Sequence, residues 1–260
     1  MSTATYGPSP QLAAALEAAR AADAVIGPLY RSNLAVEIKA DHSPVTEADR
    51  RAEAAIHAVL SRHFPDYGFF GEESGQHAMQ AEYVWLVDPL DGTKSFVRDT
   101  PFFSTQIALL RRGEFVLGVS SACAAGEIAW AERGGGAWLN GQRIHVSAKS
   151  ALDDAILSSG NLKTLAAAPQ WANFGQLVTQ VNRSRGYGDY VHYHLLARGA
   201  LDAVVESDVN ILDIAALSVI VSEAGGRFTD LAGADIHLGT TTVLATNGLL
   251  HDMVRRQIDY

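Results

Sequence analysis

The segment 85–96 constrains this chain most strongly, because it places two carboxylates where an apolar run is interrupted. The apolar run predicts a buried strand that ends at Asp88. Pro89 fixes its own φ and biases the preceding residue towards an extended conformation, so the chain turns in a defined way here. The side chains of Asp88 and Asp91 and the carbonyl of Leu90 can therefore converge on one point.

These groups predict a metal site beside an anion site. Three hard oxygens suit Mg²⁺ or Mn²⁺ better than zinc. Gly92 lets the backbone approach a ligand closely, and Thr93 offers a hydroxyl group. A helical turn that starts here would leave N–H groups free to bind an anion. Asp and Pro are also ordinary turn formers, so the segment suggests a metal next to a phosphate without requiring it.

The composition is that of a globular chain of 260 residues, of which 48% are hydrophobic and 19% charged. That length can bury a large core, as one domain or as two closely joined ones. The formal charge of −9 argues against a general nucleic-acid binder, which would show a basic surface. Cys123 is the single cysteine, which favours a reducing compartment. With no membrane-length apolar run and no signal segment, we expect a cytoplasmic location.

The first half of the sequence predicts two helices followed by several short strands. Ser9-Pro10 is a favourable helix start, and a second helix is expected after Thr46. Strand-like runs follow at 67–71, 105–110, 115–120, 127–131 and 136–139. Asn140-Gly141 is a strong hairpin signal between the last of these runs and residues 143–146.

The second half alternates between the two element types. Strands are expected at 155–157, 185–187, 203–205, 227–229 and 242–245, and helices near 171–181, 190–198, 214–223 and 249–258. Such alternation predicts layers of sheet and helix. The seam between the halves is expected within 146–155. It divides residues 1–148, which carry the metal and phosphate motifs, from residues 149–260 within one compact unit.

Several acidic residues outside the central segment have a structural interpretation as well as a functional one. Glu72 and Glu73 lie in a glycine-bounded loop, which is usually a solvated turn. Asp49 follows Thr46 by three residues and could complete a capping box at a helix start. Asp213 precedes an apolar helix, where an N-cap and a metal ligand are equally good interpretations.

Taken together, these motifs resemble those of the inositol monophosphatase-like superfamily. Residues 88–93 match its Asp-Pro-[Ile/Leu]-Asp-Gly-Thr hallmark, and 213–226 match Asp-x-Ala-Ala followed by Glu-Ala-Gly-Gly. Leu212 stands where many members carry Trp. The Gly-Glu-Glu box is matched at 71–73 and the Thr-x-x-Asp box at 46–49. The resemblance implies an α/β (α+β) layered sandwich, with alternating α-β-α-β-α layers as in inositol monophosphatase and fructose-1,6-bisphosphatase.

The resemblance also implies a role for each matched residue. Metal would be bound by Glu72, Asp88, Asp91, Asp213 and the carbonyl of Leu90. Gly92 and Thr93 would hold the phosphate, and Thr93 with Asp49 would orient the attacking water. Glu73 would lie near a weakly held third ion. Two or three Mg²⁺ ions, which Mn²⁺ can replace, would clamp the phosphate and stabilise the leaving alkoxide. A homodimer acting on a small-molecule phosphate ester is implied as well.

The alcohol of the substrate is expected to be recognised by the second half. The Arg-Gly-Tyr-Gly-Asp-Tyr box at 185–190 resembles the histidinol-phosphate phosphatase branch, as does Thr-Lys-Ser-Phe at 93–96. Histidinol phosphate carries an ammonium group and an imidazole, which Asp189 and Glu206 could bind through charge-assisted hydrogen bonds. Arg185 is the third candidate for substrate binding. L-histidinol phosphate is therefore favoured over inositol or polyol phosphates.

Alternatives remain open for these substrate residues. Asp189 could cap the helix that follows it, and Glu206 could equally hold a polyol hydroxyl. Asn210, His192 and His194 are further polar residues that could line the pocket. A non-catalytic binder of metal or phosphate is the alternative from another functional class.

Overall fold

An eight-stranded sheet, a five-stranded sheet and the helices around them form most of the fold. The computed structural model describes residues 8–32, 35–38 and 44–260. The helices are α1 Pro10–Leu29, α2 Glu47–His63, α3 Thr93–Val97, α4 Leu162–Ala167, α5 Trp171–Gln180, α6 Asp189–Ala197, α7 Ile211–Glu223 and α8 His251–Ile258. None of them combines the length and the apolar character needed to cross a bilayer. Residues 1–7, which bear on the predicted lack of a signal segment, lie outside the described residues.

The described strands are three to nine residues long. They are β1 Val36–Ile38, β2 Pro44–Thr46, β3 Gly68–Gly71, β4 Gly75–His77, β5 Tyr83–Asp91, β6 Ser104–Arg111, β7 Glu114–Ala122, β8 Glu127–Glu132, β9 Gly136–Leu139, β10 Gln142–Ile144, β11 Ile156–Gly160, β12 Arg183–Arg185, β13 Ala203–Ser207, β14 Arg227–Thr229 and β15 Thr242–Thr246. The large sheet has the order β10-β9-β8-β7-β6-β5-β3-β4, and the smaller one β12-β11-β13-β15-β14. Strands β1 and β2 form a separate ribbon.

The alternation of side chains along the strands creates three apolar layers. On β5, Trp85 and Val87 pack with α1 and α2, whereas Val84 and Leu86 pack with α6 and α7 on the other face. On β13, Val204 packs with α6 and α7, whereas Ala203 and Val205 pack with α4, α5 and α8. Because successive strand residues point to opposite faces, each sheet is covered on both sides. The predicted α-β-α-β-α sandwich is confirmed.

Most predicted elements are found close to their predicted bounds. Helix α1 begins after Ser9, whose Oγ accepts the N–H of Leu12 at 3.1 Å. Asn140 and Gly141 have φ values of 49° and 79° and connect β9 to β10, as the hairpin signal indicates. Along the chain, β10 is the last strand of the large sheet and β11 is the first strand of the small sheet. The division at residues 148 and 149 stays a prediction.

The prediction that the central strand ends at Asp88 is wrong. Strand β5 pairs with β6 from Tyr83 to Asp88, and the pairing resumes at Asp91, opposite Ser104. The register shifts between these points, so β5 carries a bulge at Pro89 and Leu90. Proline cannot donate a ladder hydrogen bond, and the bulge accommodates it without ending the strand.

Helix α7 lies directly against the eight-stranded sheet at Gly118 of β7. A Cβ atom on Gly118 would overlap the carbonyl oxygen of Ala216 in the middle of the helix. Residues of α7 are buried against both sheets, with Ala215, Ala216 and Ile220 at 0% exposure. The position of α7, and therefore of Asp213 in its first turn, depends on this close approach.

We expect Gly118→Ala to destabilise the protein by about 1–3 kcal/mol, because the added methyl group must push α7 away from the sheet. Thermal unfolding would measure this loss of stability. The catalytic activity that the resemblance implies should also fall, because Asp213 moves with the helix. Gly175→Ala is the matched control. Its Cβ meets open space in α5, so the change should stabilise the protein by about 0.5–1 kcal/mol. An unchanged melting temperature for Gly118→Ala would contradict the packing argument.

Candidate active site

The bulge in β5 is held in shape by polar contacts on both of its sides. Asp88 Oδ1 accepts the N–H of Leu90 at 2.9 Å, which closes a tight turn around Pro89. The carbonyl of Pro89 accepts the hydroxyl of Thr105 at 2.9 Å. Asp91 Oδ2 accepts the hydroxyl of Ser104 at 3.3 Å. The bulge thus turns the Asp88 and Asp91 side chains towards the same space.

Gly92 is required where the strand turns into α3. It has φ of 84°, and a Cβ there would overlap the carbonyl oxygen of Phe102. A side chain is therefore excluded both by backbone conformation and by space. The turn is closed by the N–H of Ser95, which donates to the carbonyl of Gly92 at 2.8 Å. The next residue, Thr93, begins the helical turn with its side chain in the cavity.

Two of the predicted site carboxylates occupy the same position in two helices. Asp49 is the third residue of α2 and accepts the N–H and the hydroxyl of Thr46 at 2.8 and 2.7 Å. Asp213 is the third residue of α7 and accepts the N–H of Asn210 at 3.2 Å. Both are halves of capping boxes. The N-cap interpretation of Asp213 is therefore wrong, because Asn210 takes that position.

Thr93 connects α2 to the central segment. Its hydroxyl lies 3.1 Å from Asp49 Oδ1 and 2.9 Å from the carbonyl of Leu90, and it can donate its one proton to either oxygen. Burial raises the pKa of Asp49 above its ordinary value, and the hydrogen bonds from Thr46 and Thr93 offset part of this rise. With its proton directed at protein acceptors, the Thr93 oxygen is available to accept a hydrogen bond from a molecule in the cavity.

Three aspartates form a cluster that can hold a divalent cation. One oxygen from each of Asp88, Asp91 and Asp213 lies within 4.8 Å of the other two. Burial, followed by the neighbouring carboxylates, raises the pKa of Asp88 and of Asp91 well above the ordinary value. Burial also raises the pKa of Asp213 to about 7. Buried like charges of this kind are stabilised by a hard cation, so the donor set fits Mg²⁺ or Mn²⁺.

Glu72 joins this cluster through the pairing of two parallel strands. Strands β3 and β5 run side by side with Gly71 opposite Val87, and the N–H of Glu72 donates to the Val87 carbonyl at 3.1 Å. The carboxyl ends of parallel strands lie at the same edge of a sheet, so Glu72 comes next to Asp88. Its charge contributes to the raised pKa of Asp88.

The cluster opens into a polar cavity of about 630 Å³. The first half of the chain contributes Glu72 and residues between 88 and 95 to the lining. The second half contributes the rest, with Asn161, Asp189, Asp208, Asn210, Leu238 and Thr240 among its residues. Strands β11, β12 and β13 are mutually parallel. Their carboxyl ends therefore meet at one edge, which is where ligands bind in such sheets.

Glu73 is not among the residues that line this cavity. It lines a separate depression of about 480 Å³ together with Arg50, His57 and His77. Its N–H donates to Glu53 Oε2 at 2.8 Å. A role near a third ion stays a prediction.

Glu53 is a site residue that sequence reasoning missed. It is 4% exposed, and its carboxylate accepts the N–H groups of Glu73 and Ser74, each at 2.8 Å. It thereby fixes the loop that carries Glu72. The signal in the sequence was a glutamate on the apolar face of α2, between Ala52 and Ile56, where a charged residue requires a partner.

Asp189 is the predicted substrate residue that lines the cavity. Burial, together with the charge of Glu206, raises its pKa to about 6, while a hydrogen bond from Ser95 lowers it. It does not cap the helix, because α6 begins at Asp189 itself and Gly188 is the N-cap. Arg185 is exposed, donates to the carbonyl of Ser184 at 2.7 Å and is not among the residues that line the cavity.

Glu206 lies behind the cavity wall rather than in it. Its side chain is buried, and its Oε2 accepts the hydroxyl of Tyr193 at 2.6 Å and lies 3.0 Å from His192 Nε2. His194 is also buried, and its Nδ1 lies 3.0 Å from Glu127 Oε2 while its Nε2 lies 2.9 Å from Ser120 Oγ. Asn210 does line the cavity, unlike the two histidines. Substrate binding by Glu206 and Arg185 stays a prediction.

A layered sandwich in which buried aspartates adjoin a Gly-Thr turn defines a class of phosphoric monoester hydrolases. The chain belongs to the inositol monophosphatase family, whose sequence model matches residues 8–259. The chain is 42% identical over 233 residues to a histidinol-phosphatase of Mycobacterium tuberculosis, covering 87% of this chain and 89% of that protein. It is 34% identical to an inositol-1-monophosphatase of Mesorhizobium japonicum, covering 91% and 90%.

Solved structures confirm the fold. The extragenic suppressor protein SuhB from Bartonella henselae superposes with a TM-score of 0.89 at 31% identity, covering 96% of this chain and 98% of that one. The inositol monophosphatase of Thermotoga maritima gives 0.87 at 31% identity, with 96% and 97% covered. The family resemblance inferred from the motifs is confirmed, and the chain is a phosphoric monoester hydrolase.

The carboxylate cluster makes the stability of the metal-free protein dependent on pH. Asp213 has an ordinary pKa of 3.8 and a folded pKa of about 7. Because folding favours its protonated form, its contribution to stability is present at low pH and is lost as the pH rises to about 7. In EDTA, the melting temperature should therefore be higher near about pH 5 than near about pH 8. Added Mg²⁺ should raise it most at the higher pH.

Asp213→Asn provides the control for this measurement. The amide keeps the shape of the side chain and cannot ionise, so the metal-free variant should show a flatter pH profile than the wild type. It should also gain less from Mg²⁺. Parallel profiles for the two proteins would show that the cluster does not govern this pH dependence.

Proposed function

We propose that this enzyme is a Mg²⁺-dependent phosphatase that hydrolyses L-histidinol phosphate to L-histidinol and phosphate. The observation that carries the proposal is the position of Asp189, which lines the same cavity as the aspartate cluster. A substrate whose phosphate lies at the cluster would place a cationic alcohol beside this carboxylate. The histidinol-phosphatase of M. tuberculosis and that of Streptomyces coelicolor, which is 39% identical, support the same assignment.

The metal half of the site would act on the phosphate alone. Glu72, Asp88, Asp91 and Asp213, with the carbonyl of Leu90, would hold two or three Mg²⁺ ions. Bound there, such ions supply Lewis-acid stabilisation of the charge that develops on phosphate and leaving group. Gly92 and Thr93 would bind phosphate oxygens through the N–H groups that begin α3. Thr93, held by Asp49, would accept a hydrogen bond from the attacking water and so orient it.

The wall that the second half of the chain contributes would recognise the alcohol. Asp189 and Asp208 place two carboxylates on this wall, and the amides of Asn161 and Asn210 lie with them. A carboxylate and an ammonium or imidazolium group carry opposite charges, so their hydrogen bond is also an ion pair, whereas a polyol hydroxyl offers the carboxylate a hydrogen bond without the attraction between charges. An acidic wall of this kind favours histidinol phosphate over inositol phosphate.

An inositol-1-phosphate or polyol-phosphate phosphatase is the second candidate. The amides of Asn161 and Asn210 and the hydroxyl of Thr240, which line the same cavity, suit the hydroxyl groups of a polyol. Steady-state kinetics with Mg²⁺ on both substrates would separate the candidates. We expect a larger kcat/KM for L-histidinol phosphate, and a larger value for inositol 1-phosphate would reverse the assignment.

Asp189→Asn should separate the two substrates further. Loss of the charge should lower kcat/KM for histidinol phosphate by roughly 10- to 100-fold, since a hydrogen bond to a charged group contributes about 1.5–3 kcal/mol. Hydrolysis of inositol 1-phosphate should be much less affected, because its alcohol carries no cation. Asp66→Asn, an exposed aspartate between α2 and β3, is the matched control and should leave both activities unchanged. Equal losses on both substrates in Asp189→Asn would remove the specificity argument.

The quaternary structure and cellular location belong to the same proposal. A homodimer is expected from the family resemblance, and light scattering coupled to size-exclusion chromatography would test it. A cytoplasmic location is proposed because Cys123 is the single cysteine of the chain.

A further inference from the structure

The backbone that carries Asp189 is unfavourable and must be held by tertiary contacts. Gly188 and Asp189 have φ values of 72° and 45°, so two consecutive residues have positive φ. Glycine adopts positive φ freely, whereas an aspartate with positive φ costs free energy and persists only where surrounding contacts enforce it. The direction of the Asp189 side chain therefore depends on whatever anchors the loop 186–188 before α6.

A buried chain of hydrogen bonds provides this anchor. The N–H of Tyr187 donates to Ser158 Oγ on β11 at 3.3 Å, and this oxygen lies 3.3 Å from His192 Nδ1 on α6. The other ring nitrogen of His192 lies 3.0 Å from Glu206 Oε2 on β13. Tyr193 donates to the same Glu206 oxygen at 2.6 Å. Four parts of the second half are thus connected behind the cavity wall.

His192 is the central member of this chain. It is 0% exposed, as is Ser158. A ring proton on Nε2 satisfies every partner, because Nε2 then donates to Glu206 while Nδ1 accepts the hydroxyl proton of Ser158. Ser158 Oγ remains free to accept the N–H of Tyr187. A buried polar chain in which every member is satisfied is rigid, so it can hold the loop in one conformation.

We propose that His192 is a positioning residue, which holds the loop 186–188 through Ser158 and so directs Asp189 into the cavity. Neither hydrogen-bond partner of His192 belongs to the aspartate cluster, and Glu206 acts on Asp91 and Asp213 through its charge alone. The main effect of His192 should therefore fall on recognition of the alcohol rather than on hydrolysis. This effect on substrates rests on the proposed function, whereas the anchoring of the loop does not. Glu206 then serves to orient the imidazole of His192.

The test combines two variants with a matched control on the same helix. Ser158→Ala removes the contact to the loop and leaves the pair of His192 and Glu206 in place. His192→Leu breaks the chain at its centre, because it removes the contacts to both Ser158 and Glu206. His194→Leu is the control, because His194 is a second buried histidine of α6 whose partners, Glu127 and Ser120, belong to the eight-stranded sheet. It should destabilise the protein without disturbing the loop.

Hydrogen exchange of the peptide 183–190 measures the anchoring directly. We expect faster exchange in Ser158→Ala and His192→Leu than in the wild type or His194→Leu. In the first variant the N–H of Tyr187 loses its acceptor, and in the second this acceptor, Ser158 Oγ, loses the imidazole that holds it. Unchanged exchange in both variants would overturn the proposal. This readout needs no substrate, so it remains decisive even if kinetics assign the enzyme to inositol phosphates.

Kinetics measure the consequence for recognition. For L-histidinol phosphate we expect KM to rise about tenfold in His192→Leu with kcat little changed, because the misplaced group is a binding contact. p-Nitrophenyl phosphate, which carries no cation, should be hydrolysed as by the wild type. His192→Asn keeps a polar atom near the position of Nδ1 and should recover part of the loss. Equal losses on both substrates, or no recovery by asparagine, would overturn the proposed role.

Discussion

The packing of α7 between the two sheets is the constraint on which the site depends. Its contact with Gly118 leaves no space for a side chain, and its apolar residues fill the layer that both sheets share. Because Asp213 lies in the first turn of this helix, the same packing brings it to Asp88 and Asp91 on β5. Burial of hydrophobic surface thus supplies the free energy that holds three repelling carboxylates together.

The carboxylates of the site are fixed by local hydrogen bonds as well as by packing. Asp49 and Asp213 each close a capping box at the start of a helix, so their backbones and their side chains are ordered together. Asp88 accepts the N–H of Leu90 within the bulge, and Glu53 fixes the loop that carries Glu72. Orientation before a ligand arrives lowers the free-energy cost of binding it. The carboxylates around the cluster are therefore ordered in advance of any ligand.

Sequence reasoning succeeded where the physical cause is local. The capping box of Thr46 and Asp49 and the hairpin at Asn140-Gly141 were predicted and found, because a few adjacent residues contain the whole interaction. It failed at the end of β5, where pairing with β6 continues past Pro89 through a bulge. It also missed Glu53, whose partners lie twenty and more residues away in the sequence.

The sequence by itself determined the family and the layered architecture, and it pointed to the three aspartates that the structure brings together, because contiguous motifs with characteristic spacing carry them. Only the tertiary structure decided which acidic residues of the second half reach the cavity. Asp189 lines it, whereas the carboxylate of Glu206 is used by His192 and Tyr193 behind the wall. The reason is physical: a buried carboxylate binds the donors that packing brings to it, and those contacts join residues far apart in the sequence.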